Sequence, residues 1–211
     1  SEDKYSKDIS TENTEGDFIY VEGDVLVKSE ESGEWVKVTG NTKLNKKFFI
    51  KVEKDSYANI KVAENNEASI NEETMIEVND GGADINLIYG AVKAKIEKLS
   101  DEELQIRTPV SVAAVRGTDF AVVYEEEDLS EVEVYEGKVS VENKPETGKA
   151  SEVLVEKDSW ARVEKGKAPT IAGAIKEGRR LKWKHFKVKK ELYLDNRNIK
   201  KNKMLLYRLK K

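Results

Sequence analysis

From Phe18 to about Val163, apolar and polar residues alternate in short runs, which places every second side chain on one face of a strand. Val25 and Val27, then Phe48, Ile50 and Val52, then Ala58, Ile60 and Val62 keep this period, as do Leu104/Ile106, Val110/Val112, Phe120/Val122, Val132/Val134, Val139/Val141 and Val153/Val155. Turn formers separate the runs: Ser32-Gly33, Lys54-Asp55-Ser56, Glu64-Asn65-Asn66, Asp80-Gly81-Gly82 and Lys157-Asp158-Ser159. Many short strands at close spacing predict a sandwich or barrel rather than βαβ units. One segment fits two periods. In IYGAVKAKIEKL, Ile88 to Leu99, residues Ile88, Val92, Ile96 and Leu99 share a helical face, while Val92, Ala94 and Ile96 alternate. Its place between strand-like runs and the glycine near its start favour a strand.

The chain echoes itself. Val52 to Ile60 reads VEKDSYANI and Val155 to Val163 reads VEKDSWARV, identical at six of nine positions. VEGDVLV (Val21 to Val27) precedes the first copy and VYEGKVSV (Val134 to Val141) the second. Two related hairpin elements within one β domain are expected, because a solenoid needs three or more regular copies.

Outside the alternating region the character changes. Residues 1–17 are polar and aperiodic and read as a loose arm. From Thr170 onward, 15 Lys and Arg stand against 3 Asp and Glu, leaving 22 against 38 for the rest, so an acidic body carries a basic tail. The predicted domains are an arm at 1–17, a β domain at 18–168 and a basic, partly helical extension at 169–211. With Trp183, Phe186, Tyr193 and Tyr207 among its cations, the tail suits an anionic polymer, an anionic lipid surface or the chain's own acidic body; no specific nucleic acid is expected. No run reaches the roughly eighteen apolar residues of a membrane helix.

Several chemistries lack their residues. With no cysteine among the 211 residues, thiolate sites and disulfides are excluded. The single histidine, His185, has no second His or Cys to complete a metal site and no setting for a Ser-His-Asp triad. Phosphate-binding glycine loops are missing. Asn79 to Asp84 gathers oxygen ligands around Gly81 and Gly82 but lacks calcium-loop spacing, so a hairpin turn is expected. Acids are abundant, yet context singles out no pair for glycan hydrolysis. Neither an enzyme nor a cofactor is expected.

The stretch TPVSVAAVRGTDFAVVY, Thr108 to Tyr124, interrupts two apolar runs with Arg-Gly-Thr-Asp. Gly117 predicts a bend where a strand ending at Val115 gives way to one starting at Phe120. Arg116 beside it has the donors to fold back over backbone carbonyls at the bend. Pro109, lacking an N–H, suits the start of an edge strand.

This stretch, followed by VEVYEGKVSV, resembles the signature of the FecR domain family: Thr108-Pro109, small apolar residues, Val115-Arg116-Gly117-Thr118, an acidic residue, Phe120, and later the strand opened by Gly137. GDVLV, the strand bearing Trp35 and IYGAVKAKI are similar too, over about residues 18 to 163. Lys46-Lys47 and Glu64-Asn65-Asn66 replace the family's usual turns. The resemblance implies an all-β, jelly-roll-like sandwich of antiparallel strands and makes Ile88 to Leu99 a strand. It implies a regulatory, signal-transducing, protein-binding module of the bacterial envelope, periplasmic or exported with its leader removed, although the family's membrane helix and anti-sigma segment have no counterpart here. The signature residues are expected to serve the fold, and an envelope protein is the expected partner. The alternative is a module that binds carbohydrate or cell-wall polymer, with Trp35, Tyr57, Trp160 and Trp183 as a possible binding surface.

Overall fold

A computed structural model describes residues 18–29, 33–39, 42, 47–62, 66–79, 83–97, 103–124 and 128–176. The chain divides into two compact units, Ser1–Ala174 and Ile175–Lys211, and the fold that follows is that of the first. The alternating runs become strands, because a backbone that points successive side chains to opposite sides buries an apolar row on one side only. Among the described residues these are β1 (Phe18–Glu22), β2 (Val25–Lys28), β3 (Val36–Lys37), β4 (Phe48–Val52), β5 (Tyr57–Val62), β6 (Asn66–Ile70), β7 (Thr74–Asn79) and β8 (Asp84–Lys95). They continue with β9 (Leu104–Arg107), β10 (Ser111–Val115), β11 (Asp119–Tyr124), β12 (Leu129–Glu136), β13 (Lys138–Asn143), β14 (Glu152–Glu156), β15 (Ser159–Glu164) and β16 (Thr170–Ala174). The ambiguous segment is therefore strand, shifted to begin at Asp84 and to end at Lys95.

Pairing arranges the strands in two layers. The first sheet runs β1-β5-β6-β8-β11-β12-β15-β16, and the second runs β3-β2-β4-β7-β8-β9-β10-β13-β14. Strand β8 serves both: Asp84 to Tyr89 pairs in the second sheet, and Gly90 to Lys95 in the first. Every pairing is antiparallel except that of β8 with β9. Val25, Ile50, Ile76 and Ile106 of the second sheet and Ile60, Val92, Phe120 and Val132 of the first share one buried cluster.

The chain turns between the layers at Gly23, Asp55, Glu73, Gly90, Gly117, Gly137 and Asp158, all seven with φ between 50° and 98°, and it crosses once more between β8 and β9. The first four corners gather at the Gly90 end of β8 and the last three at its Lys95 end, so the fold is a meander of bent strands creased along two lines. Neighbouring corners interlock. The Asp24 N–H donates to Ser56 Oγ at 2.8 Å beside the first crossing, and the Ala91 N–H donates to Thr74 Oγ1 at 3.0 Å beside the fourth. At Gly90 a side chain has no room: a Cβ there would lie 2.6 Å from Thr74 Cα and 2.7 Å from the Glu73 carbonyl oxygen.

Three expectations change. Except for β3, which pairs outside β2, neighbours in each sheet follow chain order, unlike the crossed connections of a jelly roll. The echoed segments are bent units spanning both layers rather than flat hairpins. In the first copy β2 pairs β4 and β1 pairs β5; in the second β13 pairs β14 and β12 pairs β15. The segment expected to open the basic extension instead continues the first sheet as β16, held by β15. The arm at 1–17, Trp183 and the expected helical part of the tail lie outside the described residues.

Candidate functional site

The signature residues build the corner between β10 and β11. Thr108 Oγ1 accepts the N–H groups of Val110 and Ser111, at 3.3 and 2.9 Å, and so closes the turn from β9 into β10. Its hydroxyl meets that of Ser111 at 2.9 Å, and Ser111 donates to Ser130 Oγ at 2.9 Å, a buried chain of three hydroxyls linking the two sheets. The Lys144 ammonium donates to the Thr108 carbonyl at 2.6 Å, and burial pulls its pKa below the ordinary lysine value. Pro109 is exposed in this turn; β10 lies between β9 and β13, so the proline does not mark an edge strand. Val115 and Phe120 are core residues. The Thr118 carbonyl accepts the Ile96 N–H at 2.8 Å, and Gly137 passes so close that a Cβ would meet Thr118 Cγ2 at 2.6 Å.

Arg116 does not fold back over the bend. Its side chain is 73% exposed, with Glu103 3.9 Å away, a surface pair worth at most about 1 kcal/mol. One carbonyl at the bend, that of Thr118, is already taken by the Ile96 N–H.

Chemistry gathers instead on the outward face of the first sheet. Strand register sets Asn59, Ser69, Lys93, Ala121, Glu133 and Trp160 in one row across it. The Lys93 ammonium sits 4.6 Å over the Tyr135 ring and 3.1 Å from Asp119, while the Tyr135 hydroxyl donates to Glu133 at 2.6 Å. Glu133 is 1% exposed, and Lys93 and Asp119 are largely covered. Flanking rows add Ala91, Val123, Glu131 and Arg162 on one side and Lys61, Glu67, Lys95 and Asp119 on the other. The face thus combines small apolar residues, aromatic rings and partly desolvated charge. Sequence reading missed Lys93, Asp119, Glu133 and Tyr135, which lie on three strands and show no common spacing.

The residues proposed for sugar stacking do not come together. Tyr57 is 2% exposed, its ring 5.8 Å from that of Tyr20, and burial raises its hydroxyl pKa above the ordinary tyrosine value. It therefore presents no ring face to a ligand. Trp35 precedes β3, and the Lys28 ammonium occupies one ring face at 4.9 Å. Trp160 stands on the first sheet five strand steps from Tyr57, about 24 Å at 4.8 Å per step. Among the described residues, no group of three or more His, Cys, Asp or Glu is placed to hold a metal.

No curated protein matches this chain. Two solved structures, both of anti-sigma-factor candidates from Parabacteroides distasonis, are similar at 17% identity. One has a TM-score of 0.53 and covers 65% of this chain and 64% of its own; the other has 0.50, with 60% and 59%. This chain thus spans about three fifths of the solved chains it matches, and at this identity the likeness is one of fold. The model of the family described as FecR protein matches residues 49–140, from β4 into β13, a stretch that holds the Arg116-Gly117-Thr118 corner and the Lys93, Asp119, Glu133 and Tyr135 cluster: a FecR domain occupies this stretch of the chain.

Proposed function

We propose that this chain is a regulatory signal-transduction module of the cell envelope that works by being held by another protein, and that the outward face of the first sheet is where it is held. The observation carrying this reading is the Lys93, Asp119, Glu133 and Tyr135 cluster. A sheet face needs no partly desolvated cation for its own stability, since charge removed from water costs more than an apolar residue in the same place. An aromatic ring against a partly desolvated charge matches the composition that concentrates binding energy in protein interfaces. The FecR-domain match and the regulatory description of the similar solved chains support a relay role over catalysis. The carbohydrate reading loses ground because its aromatic residues are buried, covered or far apart.

A photo-crosslinking residue placed at Tyr135 in the producing cells is expected to yield one defined adduct with an envelope protein, whereas the same residue at Val36 on β3 yields none. Deleting the gene is expected to change transcription of a small co-regulated set. Identical adducts from both positions, together with an unchanged transcript profile, would sink the reading.

A further inference from the structure

The last strand of the first sheet lacks the safeguards of the other edges. Strand β16 is bonded to β15 on one side, and no described strand lies on the other. Edge strands ordinarily carry charges that discourage a further strand from pairing. Of the remaining edges, β1 carries Glu22, β3 carries Lys37 and β14 carries Glu152 and Glu156. Strand β16 reads TIAGA, uncharged, in a chain where 37% of residues are charged, and all five of its residues are exposed.

Ile171 adds an independent sign. It pairs with Ala161, which lies in the buried cluster, so its side chain belongs to the inward face of the sheet. It is nevertheless 51% exposed. An inward isoleucine stays uncovered when the layer stops one strand short. Beside it, β14 ends the second layer with its inward Val153 only partly buried, so both layers end at the same place.

We propose that the free edge of β16 receives an extended segment of a partner protein, which pairs antiparallel to it as one more strand of the first sheet and sets a branched aliphatic side chain beside Ile171. Main-chain hydrogen bonds to the unpaired side of β16 supply affinity, and the uncovered inward position selects the side chain. A second copy of this chain fits less well. Two-fold pairing about Ala172 would place both Gly173 residues, at φ 115°, within one five-residue ladder, whereas a foreign strand meets a single kink. This proposal does not depend on the Lys93 cluster, which lies on the face of the sheet rather than at its edge.

The test selects displayed random peptides of about ten residues, strand length, on the full chain, with Ile171→Lys as the counter-selection. Ile171 is exposed, so the variant is expected to keep its stability within about 0.5 kcal/mol. The enriched peptide should alternate aliphatic and polar residues and slow hydrogen exchange of the amides at 170–174. It should lose at least about tenfold in affinity, 1.4 kcal/mol, on Ile171→Lys, and keep its affinity on Leu154→Lys. Enrichment that ignores Ile171→Lys, or protection confined to other strands, overturns the proposal. So does a dimer in sedimentation that Ile171→Lys abolishes, since the occupant would then be a second copy.

Discussion

Replacing Gly90 by alanine tests the crease directly. At φ 98° an L-residue incurs about 1–2 kcal/mol of backbone strain. The new Cβ would also lie 2.6 Å from Thr74 Cα and 2.7 Å from the Glu73 carbonyl oxygen, both backbone atoms of the adjoining corner that can retreat only by moving β7. Forced overpacking of this kind costs about 1–3 kcal/mol, for a total of about 2–5 kcal/mol. Gly148 supplies the control, having φ 88° but no atom within 4 Å of the place a Cβ would occupy, so Gly148→Ala bears the strain alone. The two variants should differ by about 2 kcal/mol, a factor of about 30 in the folding equilibrium. With a urea dependence near 2 kcal/mol per molar, that separates their midpoints by about 1 M in a denaturation series followed by circular dichroism. Adding Thr74→Ala to Gly90→Ala should not restore stability: it removes only the hydroxyl end of the obstruction and leaves the Ala91 N–H without its acceptor. Equal losses at Gly90 and Gly148 would refute the argument that close backbone approach, rather than dihedral freedom, sets the residue at this corner.

Three other outcomes follow from the same geometry. Burial raises the Tyr57 phenol above its ordinary value near 10, so above that pH the unfolded chain has released a proton that the folded chain retains; stability should fall by about 1.4 kcal/mol per pH unit, and less steeply in Tyr57→Phe, as read from unfolding midpoints between pH 9 and 11. Ser111→Ala breaks the hydroxyl chain between Thr108 and Ser130 inside the fold and should cost about 1–3 kcal/mol, with Ser130→Ala adding less than its own single effect when the two are combined. A double-mutant cycle of Lys93→Met with Tyr135→Leu should return a coupling of about 0.5–2 kcal/mol, and a coupling near zero would remove the cation–ring contact as an organising feature of the face.

Strand existence was legible because alternation follows from one-sided burial, which needs no knowledge of the partner strand. The corner at Gly117 was legible for a similar reason: glycine marks a backbone demand whatever lies nearby. The corners at Asp55 and Asp158 were visible only as turns and that at Glu73 not at all, since their left-handed backbone is imposed by the neighbouring crossings rather than announced by residue type. Register lay beyond reach: Lys93 meets Asp119 and Tyr135 through pairings of β8 with β11 and of β11 with β12. The echo made Tyr57 and Trp160 look equivalent, yet Tyr57 is fully buried against the Tyr20 ring while Trp160, paired across from Gly173, is half-buried. Strand β16 escaped notice because TIAGA has no alternation and its alanines suit a helix; the waiting edge of β15 decided the outcome.

Because the meander is laid down in chain order, each crossing can settle on the one before it as soon as both have been synthesised. Such a protein can assemble vectorially, from its first residues toward its last, each bent strand docking on the one already in place. Throughout that progress the most recent strand is always an unfinished border, recruiting whatever extended chain arrives next.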